Sequence, residues 1–456
     1  MPGTVTARPS SGRRKAGTPT ASLPPPAGPR TPVAGGFPTV SRTAWPGAAR
    51  RLVRTPLPLV LWLELLVGGV LVAVARRDAT VVAVGFAVAA TLAIGWGRRR
   101  GVPLYRLLAT RWRWTVRTRA AARTARYRRA AGDTTPGGVM SLLPQLHLTS
   151  APLRAERRFG VCFDGTGWVA VLEVEPAAAM LVPATWPVAV PLDLLAGLLA
   201  IDDIRLASVQ VLVRTVPAPV DSPADSPAVR SYRRIRPVGV AALRQTWIAL
   251  RLDPQAGQDA IGARGGGVDG AHRSLKRVAG RALELLEAAG VRARALDEAG
   301  LSEVLAVTLL GGVPGVDRAV DLDEPALERW DCWQAGDGAQ VTWWLADWPQ
   351  GHEPVEPLLQ LLQAAPAGFG VVSLTIHAQP EGGGRGGGAG GGVGGGSGTE
   401  PVLRVLVRAG APLAGLRGLV EALESGGRAV GVQLRRLDGD HGPGVGATLP
   451  LGGGYR

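Results

Sequence analysis

Two long apolar segments follow each other near the start of the chain, and they constrain its fold more than any other feature. Residues 57–74 carry a single charge, Glu64, and residues 79–97 carry none. As a helix, each would be about 27 Å long, close to the roughly 30 Å hydrocarbon core of a bilayer. Only four residues separate them. The segments therefore predict a tight transmembrane hairpin, and a hairpin buried within a soluble domain is the alternative.

Basic residues surround this hairpin on both sides. The 56 residues before it contain nine Lys and Arg and no acid, and residues 98–129 contain 12 Arg and no acid. Positive charge of this kind is retained on the cytoplasmic side of a membrane. We therefore expect a multi-pass protein of the inner (cell) membrane with both termini in the cytoplasm. Residues 1–50 include ten prolines and predict a disordered cytoplasmic tail.

The net charge of +15 is unevenly distributed, and this excludes a nucleic-acid partner. Residues 1–132 hold 23 basic and two acidic residues, whereas residues 133–456 hold 28 basic and 34 acidic residues. A nucleic-acid-binding module needs a basic face on its folded part. Here the basic excess lies beside the apolar segments instead, and the large folded part is mildly acidic.

Residues 102–130 predict a basic amphipathic helix. Tyr105, Leu108, Trp112 and Val116 recur at spacings of three and four residues, with arginines on the remaining faces. Such a helix either lies on anionic lipid headgroups or docks on a partner helix. Arginines 111, 113, 117 and 119 would present positive charge to whichever acidic surface or lipid lies there.

Strand-like and helix-like segments alternate after residue 139 and predict a cytoplasmic α/β (or α+β) domain over residues 139–380. The predicted strands are 159–163, 168–174, 209–215, 246–252, 304–310, 341–346, 369–377, 402–408 and 431–437. The predicted helices are 192–202, 271–289, 355–364 and 412–424. Residues 382–398 contain 13 Gly and predict a flexible linker, followed by a terminal strand-helix-strand unit (400–437) and a flexible C-terminal tail (438–456).

Motifs for nucleotide binding, metal binding and nucleophilic catalysis are missing from the sequence. Lys15 and Lys276 are not followed by Ser or Thr, so there is no Walker A loop. The two cysteines are 170 positions apart, and His352-Glu353 runs into Pro354, which would break the helix of an HExxH zinc site. We therefore predict no catalytic, cofactor-binding or metal-binding residues. The segment 164–168 (DGTGW) is typical of a hairpin turn.

Three acidic features remain as candidates. Asp321 and Asp323, and likewise Asp438 and Asp440, form DxD triplets that resemble the metal and sugar-nucleotide motif of glycosyltransferases. Solvated loop carboxylates are the alternative interpretation. Glu64 lies within an apolar segment, where a carboxylate is costly, and we interpret it as a pairing site for a neighbouring helix. A carboxylate that snorkels to the interface or is protonated, without a functional role, is the alternative.

Three stretches resemble the EccE family of actinobacterial type VII secretion systems. They are 165–172 (GTGWVAVL), 244–252 (RQTWIALRL) and the segment 263–296, which contains GGGVDGAHRSLKRVAGRALELLEAAGVRARAL. The resemblance covers roughly residues 50–310. It implies a core subunit of an inner-membrane secretion complex that includes EccB, EccD and the EccC ATPase. None of the stretches is a catalytic motif, so the resemblance assigns no active residue.

The sequence therefore predicts a structural, non-enzymatic subunit of a hetero-oligomeric type VII secretion complex that contributes to its assembly or stability. The competing prediction is a membrane-tethered glycosyltransferase-like enzyme that uses Asp321 and Asp323. A lipid-binding scaffold is a third class.

Overall fold

A long basic helix precedes the folded domain. The computed structural model describes residues 98–99, 102–130, 142–152, 158–175, 190–217, 241–311, 326–336, 338–347, 355–378 and 402–453. Strands β1 (Arg98–Arg99) and β2 (Val102–Pro103) pair with each other, and helix α1 (Leu104–Ala130) follows directly. This helix lies where residues 102–130 were predicted to form a basic helix.

The domain begins with residues 142–311, which we call the N-terminal repeat. Its strands are β3 (His147–Pro152), β4 (Arg158–Phe163), β5 (Trp168–Val174), β6 (Ala200–Ile201), β7 (Ile204–Arg205), β8 (Ser208–Pro217), β9 (Ala241–Leu252) and β10 (Ala293–Ala295). Its helices are α2 (Leu192–Ala196), α3 (Gln258–Ala263), α4 (Gly267–Ala288) and α5 (Glu298–Leu310).

Residues 326–453 form the C-terminal repeat. Its strands are β11 (Ala326–Glu328), β12 (Trp333–Ala335), β13 (Gly338–Asp347), β14 (Phe369–His377), β15 (Val402–Pro412) and β16 (Gln433–Arg436). Its helices are α6 (Val355–Ala364), α7 (Leu416–Ala429) and α8 (His441–Ala447).

Twelve of the described strands form one sheet, and every pairing that the structure describes within it is antiparallel. The order is β11-β12-β13-β15-β14-β8-β9-β5-β4-β3, with β10 added to β5 and β16 added to β13. Reading outward from the central β8–β14 pair gives β8-β9-β5-β4-β3 on one side and β14-β15-β13-β12-β11 on the other. The two halves therefore have the same topology and are related by an approximate two-fold axis between β8 and β14.

Hydrogen bonds at matching positions support this internal repeat. In the N-terminal repeat, Leu296 N–H donates to Val171 O (3.0 Å); in the C-terminal repeat, Leu437 N–H donates to Thr342 O (2.9 Å). The chain leaves α4 and α7 through the same pattern, G-V-x-x-R-x-L-D, starting at Gly290 and Gly431. Both glycines have a positive φ, +78° and +74°, a conformation that favours glycine.

Successive side chains of a strand point to opposite faces of the sheet. Helices cover both faces, so the domain has two cores. One core lies beneath α2, α4, α6 and α7 and includes Leu172, and the other lies beneath α5 and α8 and includes Val171. The long helices α4 and α7 thus lie on one face, as the repeat requires, and α5 and α8 lie on the other.

Two buried arginines occupy the centre of the face that α5 and α8 cover. Arg214 on β8 donates to Gln245 Oε1 and to Gly311 O, both at 3.0 Å. Arg408 on β15 donates to Gln340 Oε1 (2.5 Å), to Thr308 O (2.5 Å) and more weakly to Thr448 O (3.4 Å). The backbone acceptors belong to the C-terminal ends of α5 and α8, where the helix dipole is negative.

Burial lowers the pKa of Arg214 to about 10, and burial together with the charge of Arg214 lowers that of Arg408 to about 9. Both values remain above neutral pH, so both guanidinium groups are charged. The ring of Phe369 lies 6.0 Å from the Arg214 guanidinium carbon and 5.6 Å from that of Arg408. The aromatic ring and the helix ends together compensate for the lost solvation.

The predicted fold class needs correction. The described residues form a mostly antiparallel sheet with helices, not an α/β domain. No helix in the described ranges is both long and apolar enough to cross a membrane; α1 has the length but carries nine arginines. The predicted transmembrane hairpin and multi-pass location are corrected accordingly. The predicted spans, 57–74 and 79–97, lie outside the described residues, as do residues 1–50 and 382–398.

Most predicted strands are confirmed, among them 168–174 and 369–377 with the same bounds. Residues 304–310 were predicted as a strand but belong to α5, which Asp297 caps and Gly311 ends. A short, continuously apolar segment does not distinguish a strand from a buried helix. The predicted C-terminal tail, 438–456, contains α8 and the buried Leu449 and Leu451.

Arg408→Ala should lower the free energy of unfolding by about 3 kcal/mol, because it leaves three buried acceptors unpaired and opens a cavity. Urea unfolding of the full chain, followed by tryptophan fluorescence, measures this. The control is Arg417→Ala, an exposed residue that pairs with Glu421 one turn along α7, for which we expect less than about 0.5 kcal/mol. Equal stability of Arg408→Ala and the wild type would contradict the structural role of Arg408.

Candidate functional site

Helix α1 docks on the C-terminal repeat through Arg117. Its guanidinium donates to Glu328 Oε1 (2.9 Å) and Oε2 (3.3 Å) in a bidentate pair, and to Asp440 Oδ1 (3.2 Å). It also donates to Gly439 O at 2.5 Å. Arg113 adds a longer contact of 3.6 Å to Asp440. One arginine thus joins the end of β11 to the turn before α8, in the geometry that Arg favours with carboxylates.

The turn that receives Arg117 depends on Gly439. This residue has a φ of +77°, and its N–H donates to Trp330 O at 2.7 Å. A Cβ atom at this position would lie 2.5 Å from Cζ3 of Trp330. The turn therefore requires glycine, both for its backbone conformation and for the close approach of the indole ring.

Aromatic contacts extend the interface along α1. The rings of Trp114 and Trp330 meet edge to face with their centroids 5.8 Å apart. The guanidinium carbon of Arg111 lies 5.6 Å from the ring centroid of Trp330. Trp330 therefore contacts two successive turns of α1, and such contacts add to the ion pairs of Arg117.

Burial and charge shift the pKa values of the groups in this interface. Burial is the main cause that raises the pKa of Asp440, and the negative charge of Glu328 raises it further. Arg113 and Arg117 act to lower this pKa, but the net shift is upward. Burial also acts to raise the pKa of Asp438, but His441 and Arg436 outweigh it and the pKa is lowered. Asp438 thus remains ionised, whereas Asp440 depends on the arginines of α1 for its charge.

These contacts give the second DxD triplet a structural interpretation. Asp440 binds α1, and Asp438 binds Arg436. Both carboxylates are thereby engaged with arginines, which leaves them poorly suited to hold a sugar nucleotide. The first triplet, Asp321 and Asp323, lies outside the described residues, as does Glu64, so their proposed roles stay predictions.

The DGTGW segment forms the predicted turn, between β4 and β5. Its Asp164 accepts two hydrogen bonds from Arg251, at 2.7 Å and 3.0 Å. Burial acts to raise the pKa of Asp164, but its bonds with Arg251 outweigh this effect and lower the pKa. The segment is therefore a turn closed by a nearly buried ion pair.

The described part of the chain offers little reactive chemistry. Burial raises the pKa of Cys162 to about 12 and that of Cys332 to about 11, so both thiols stay protonated at neutral pH. In the ranges that the structure describes, no group of three or more His, Cys, Asp or Glu side chains is placed to hold a metal ion.

The face of α1 opposite Trp114 is exposed. It carries Tyr105, Leu108, Trp112 and Val116, which are between 48% and 72% exposed. Arg119, Arg123 and Arg126 continue the same face toward the end of the helix and are also exposed. The apolar stripe that the sequence indicated is therefore the uncovered side of α1, while Trp114 and Arg117 form its docked side.

Residues 240–345, from β9 to β13, match the family model described as “Putative type VII ESX secretion system translocon, EccE”. The resemblance to EccE is confirmed over these residues. The EccE-matching region contains α4, α5 and the buried centre of the N-terminal repeat, and it excludes α1. The comparison with curated proteins gives no match.

Sequence reasoning found the basic helix but missed what it binds. Arg117 was expected to face an acidic surface or lipid, and the acidic surface lies in the same chain, at Glu328 and Asp440. The mildly acidic charge of residues 133–456 was the available signal. It does not say which carboxylates converge, because Glu328 and Asp440 are brought together by the pairing of β11, β12 and β13.

Arg117→Ala should release α1 from the domain. Loss of its charged hydrogen bonds costs about 2 kcal/mol, which makes the undocked helix roughly thirtyfold more populated. Chymotrypsin cleavage between Tyr105 and Trp114, followed by mass spectrometry, measures this population, provided that α1 undocks and redocks faster than it is cleaved. Arg119→Ala, on the exposed face, is the control and should cleave at the wild-type rate. Equal cleavage of both variants would contradict a docking role for Arg117.

Proposed function

We propose that this chain is a non-enzymatic subunit of a type VII secretion complex and contributes to the assembly or stability of that complex. The match of residues 240–345 to the EccE family supports membership of such a complex. The two-sided helix α1 supports the assembly role. One of its faces is fixed to the domain by Arg117, while the other presents an apolar stripe and three exposed arginines.

The proposed partners are the type VII secretion subunits EccB, EccD and the EccC ATPase, in a hetero-oligomer. Anionic lipid is the second proposed contact of α1. Exposed Trp112 and Tyr105 are residues that favour a membrane interface, and the arginines that follow on the same face attract anionic headgroups. The exposed apolar stripe supports both contacts, since either one would remove it from water.

Trp112→Glu should weaken retention of the chain in the secretion complex, because it puts a charge at the centre of the exposed stripe. We expect the amount that co-purifies with the EccC ATPase from the native host to fall about tenfold, because the substitution removes an aromatic anchor that the partner would bury. Val268→Glu is the control, since Val268 is an exposed apolar residue of α4 at a similar level of exposure to Val116. Retention of Trp112→Glu at the wild-type level would contradict the assignment of attachment to α1.

Sedimentation with vesicles separates the two contacts of α1. If lipid is the contact, the full chain should sediment with vesicles that contain phosphatidylglycerol, release should follow added salt, and Trp112→Glu should weaken it. If the chain does not bind these vesicles, the lipid contact is overturned. If co-purification is still sensitive to Trp112→Glu in that case, a protein partner is the occupant of this face.

The absence of an enzymatic role is tested at the first DxD triplet. Asp321→Asn combined with Asp323→Asn should leave secretion in the native host unchanged at equal protein level. A large loss of secretion, or manganese-dependent binding of a sugar nucleotide that the double variant abolishes, would support the glycosyltransferase alternative instead.

A further inference from the structure

A groove of about 1610 Å³ runs between the first half of α1 and the C-terminal repeat. We call its apolar lining the floor; this lining lies in and beside α7 and β16, and Trp330 and Trp344 contribute aromatic surface. The floor residues are Leu413, Leu416, Val420, Leu434 and Leu437. Six arginines (106, 111, 113, 417, 435 and 436) and five acids (331, 421, 424, 438 and 440) also line the groove. Three of these acids, Glu421, Asp438 and Asp440, already pair with arginines.

The internal repeat shows what is unusual about this groove. In the N-terminal repeat, Arg294 of β10 lies directly opposite Glu173 of β5 and forms an ion pair with it. The matching arginine of the C-terminal repeat is Arg435 of β16, and the residue opposite it on β13 is Trp344. The Arg435 guanidinium carbon lies 5.9 Å from the ring centroid of Trp344. A tryptophan thus stands where the other repeat has the carboxylate.

Arg435 gains no other acid in exchange. Within the described ranges, neither Arg435 nor its groove neighbours Arg106 and Arg111 forms an ion pair; Arg106 contacts Tyr105, and Arg111 contacts Trp330. Burial lowers the pKa of Arg435, and the positive charge of Arg106 lowers it further. The lining of the groove thus includes three arginines that pair with no acid in the part of the chain that the structure describes.

We propose that this groove binds an amphipathic helix of a partner protein, with its apolar face on the floor and an acidic flank against Arg106, Arg111 and Arg435. An acidic flank supplies the counter-charge that the C-terminal repeat lacks, and the floor covers the apolar face. The volume of 1610 Å³ corresponds to about 9 to 14 residues of α-helix, taken as a cylinder 10–12 Å wide.

The acids of the lining argue against a polyanion as the occupant. Glu421 and Glu424 would repel the phosphates of a nucleic acid, whose charge is uniform around the strand. A lipid surface cannot follow a groove between two helices, although it can contact the outer face of α1. An amphipathic helix can carry acids on one flank only and so meet the arginines without placing negative charge along the whole groove.

This inference rests on the proposed role as an assembly subunit, since it names the chemistry of a partner for such a subunit. Its test needs only the purified full chain and a labelled peptide of about 14 residues, with leucines along one face and glutamates along one flank. A second peptide has lysines in place of the glutamates. Fluorescence anisotropy measures the affinity of each.

The glutamate peptide should bind at least tenfold more tightly than the lysine peptide. Arg435→Ala should lower the affinity for the glutamate peptide about tenfold, because it removes one charged hydrogen bond. Arg106→Ala, on the surface helix, should weaken it similarly, so the result does not depend on one variant. Arg294→Ala removes the matching arginine of the other repeat and should leave the affinity unchanged. Thermal unfolding checks that each variant is folded.

Equal binding of the two peptides, or wild-type affinity of both Arg435→Ala and Arg106→Ala, would overturn the proposal. Tighter binding of a fluorescent oligo(dT) than of the glutamate peptide would do the same. These failures are distinct from failure of the proposed function: co-purification with the EccC ATPase that remains sensitive to Trp112→Glu would leave the assembly role standing after the groove had been excluded.

Discussion

A buried arginine beneath α5 and α8 links the two repeats of this protein. Arg408 lies on β15, in the C-terminal repeat, but its guanidinium reaches Thr308 O at the end of α5, in the N-terminal repeat. A buried charge without compensation would cost several kcal/mol. The compensation comes from helix C-termini, Gln340 and Phe369. Both helices must therefore end beside the guanidinium groups of Arg214 and Arg408, which accounts for where α5 and α8 stop.

The two repeats share this frame but differ at their outer parts. The N-terminal repeat closes its charges internally, as Arg294 with Glu173 and Arg251 with Asp164 show. The C-terminal repeat instead uses its carboxylates, Glu328 and Asp440, to bind α1, and leaves Arg435 against a tryptophan. The C-terminal repeat thus carries the added helix and the groove. This asymmetry is the basis for placing the proposed partner contact on the C-terminal repeat.

Local patterns in the sequence predicted most of the strands and the long helices, because alternation and helical periodicity are local signals. The end of helix α5 was predicted as a strand because its last turns are continuously apolar. The internal repeat was not predicted, because its halves share their topology and one short pattern, G-V-x-x-R-x-L-D, rather than extended sequence identity. The docking of α1 depends on Arg117 meeting Glu328 and Asp440, which are 211 and 323 positions away. Such pairings follow from the sheet order, which no local pattern encodes.

The contacts of α1 differ in how readily a partner can exchange them. Arg117 is half-buried, bidentate and bound to a glycine carbonyl. Breaking these contacts leaves Glu328 without its cation and Asp440 with only the longer contact to Arg113. Within the described ranges, Arg106, Arg111 and Arg119 form no ion pair, so a partner that pairs with them would break none that the structure describes. The proposed binding in the groove or on the outer face would therefore leave the contacts of Arg117 with Glu328 and Asp440 in place. It would add to the docked state of α1 rather than compete with it.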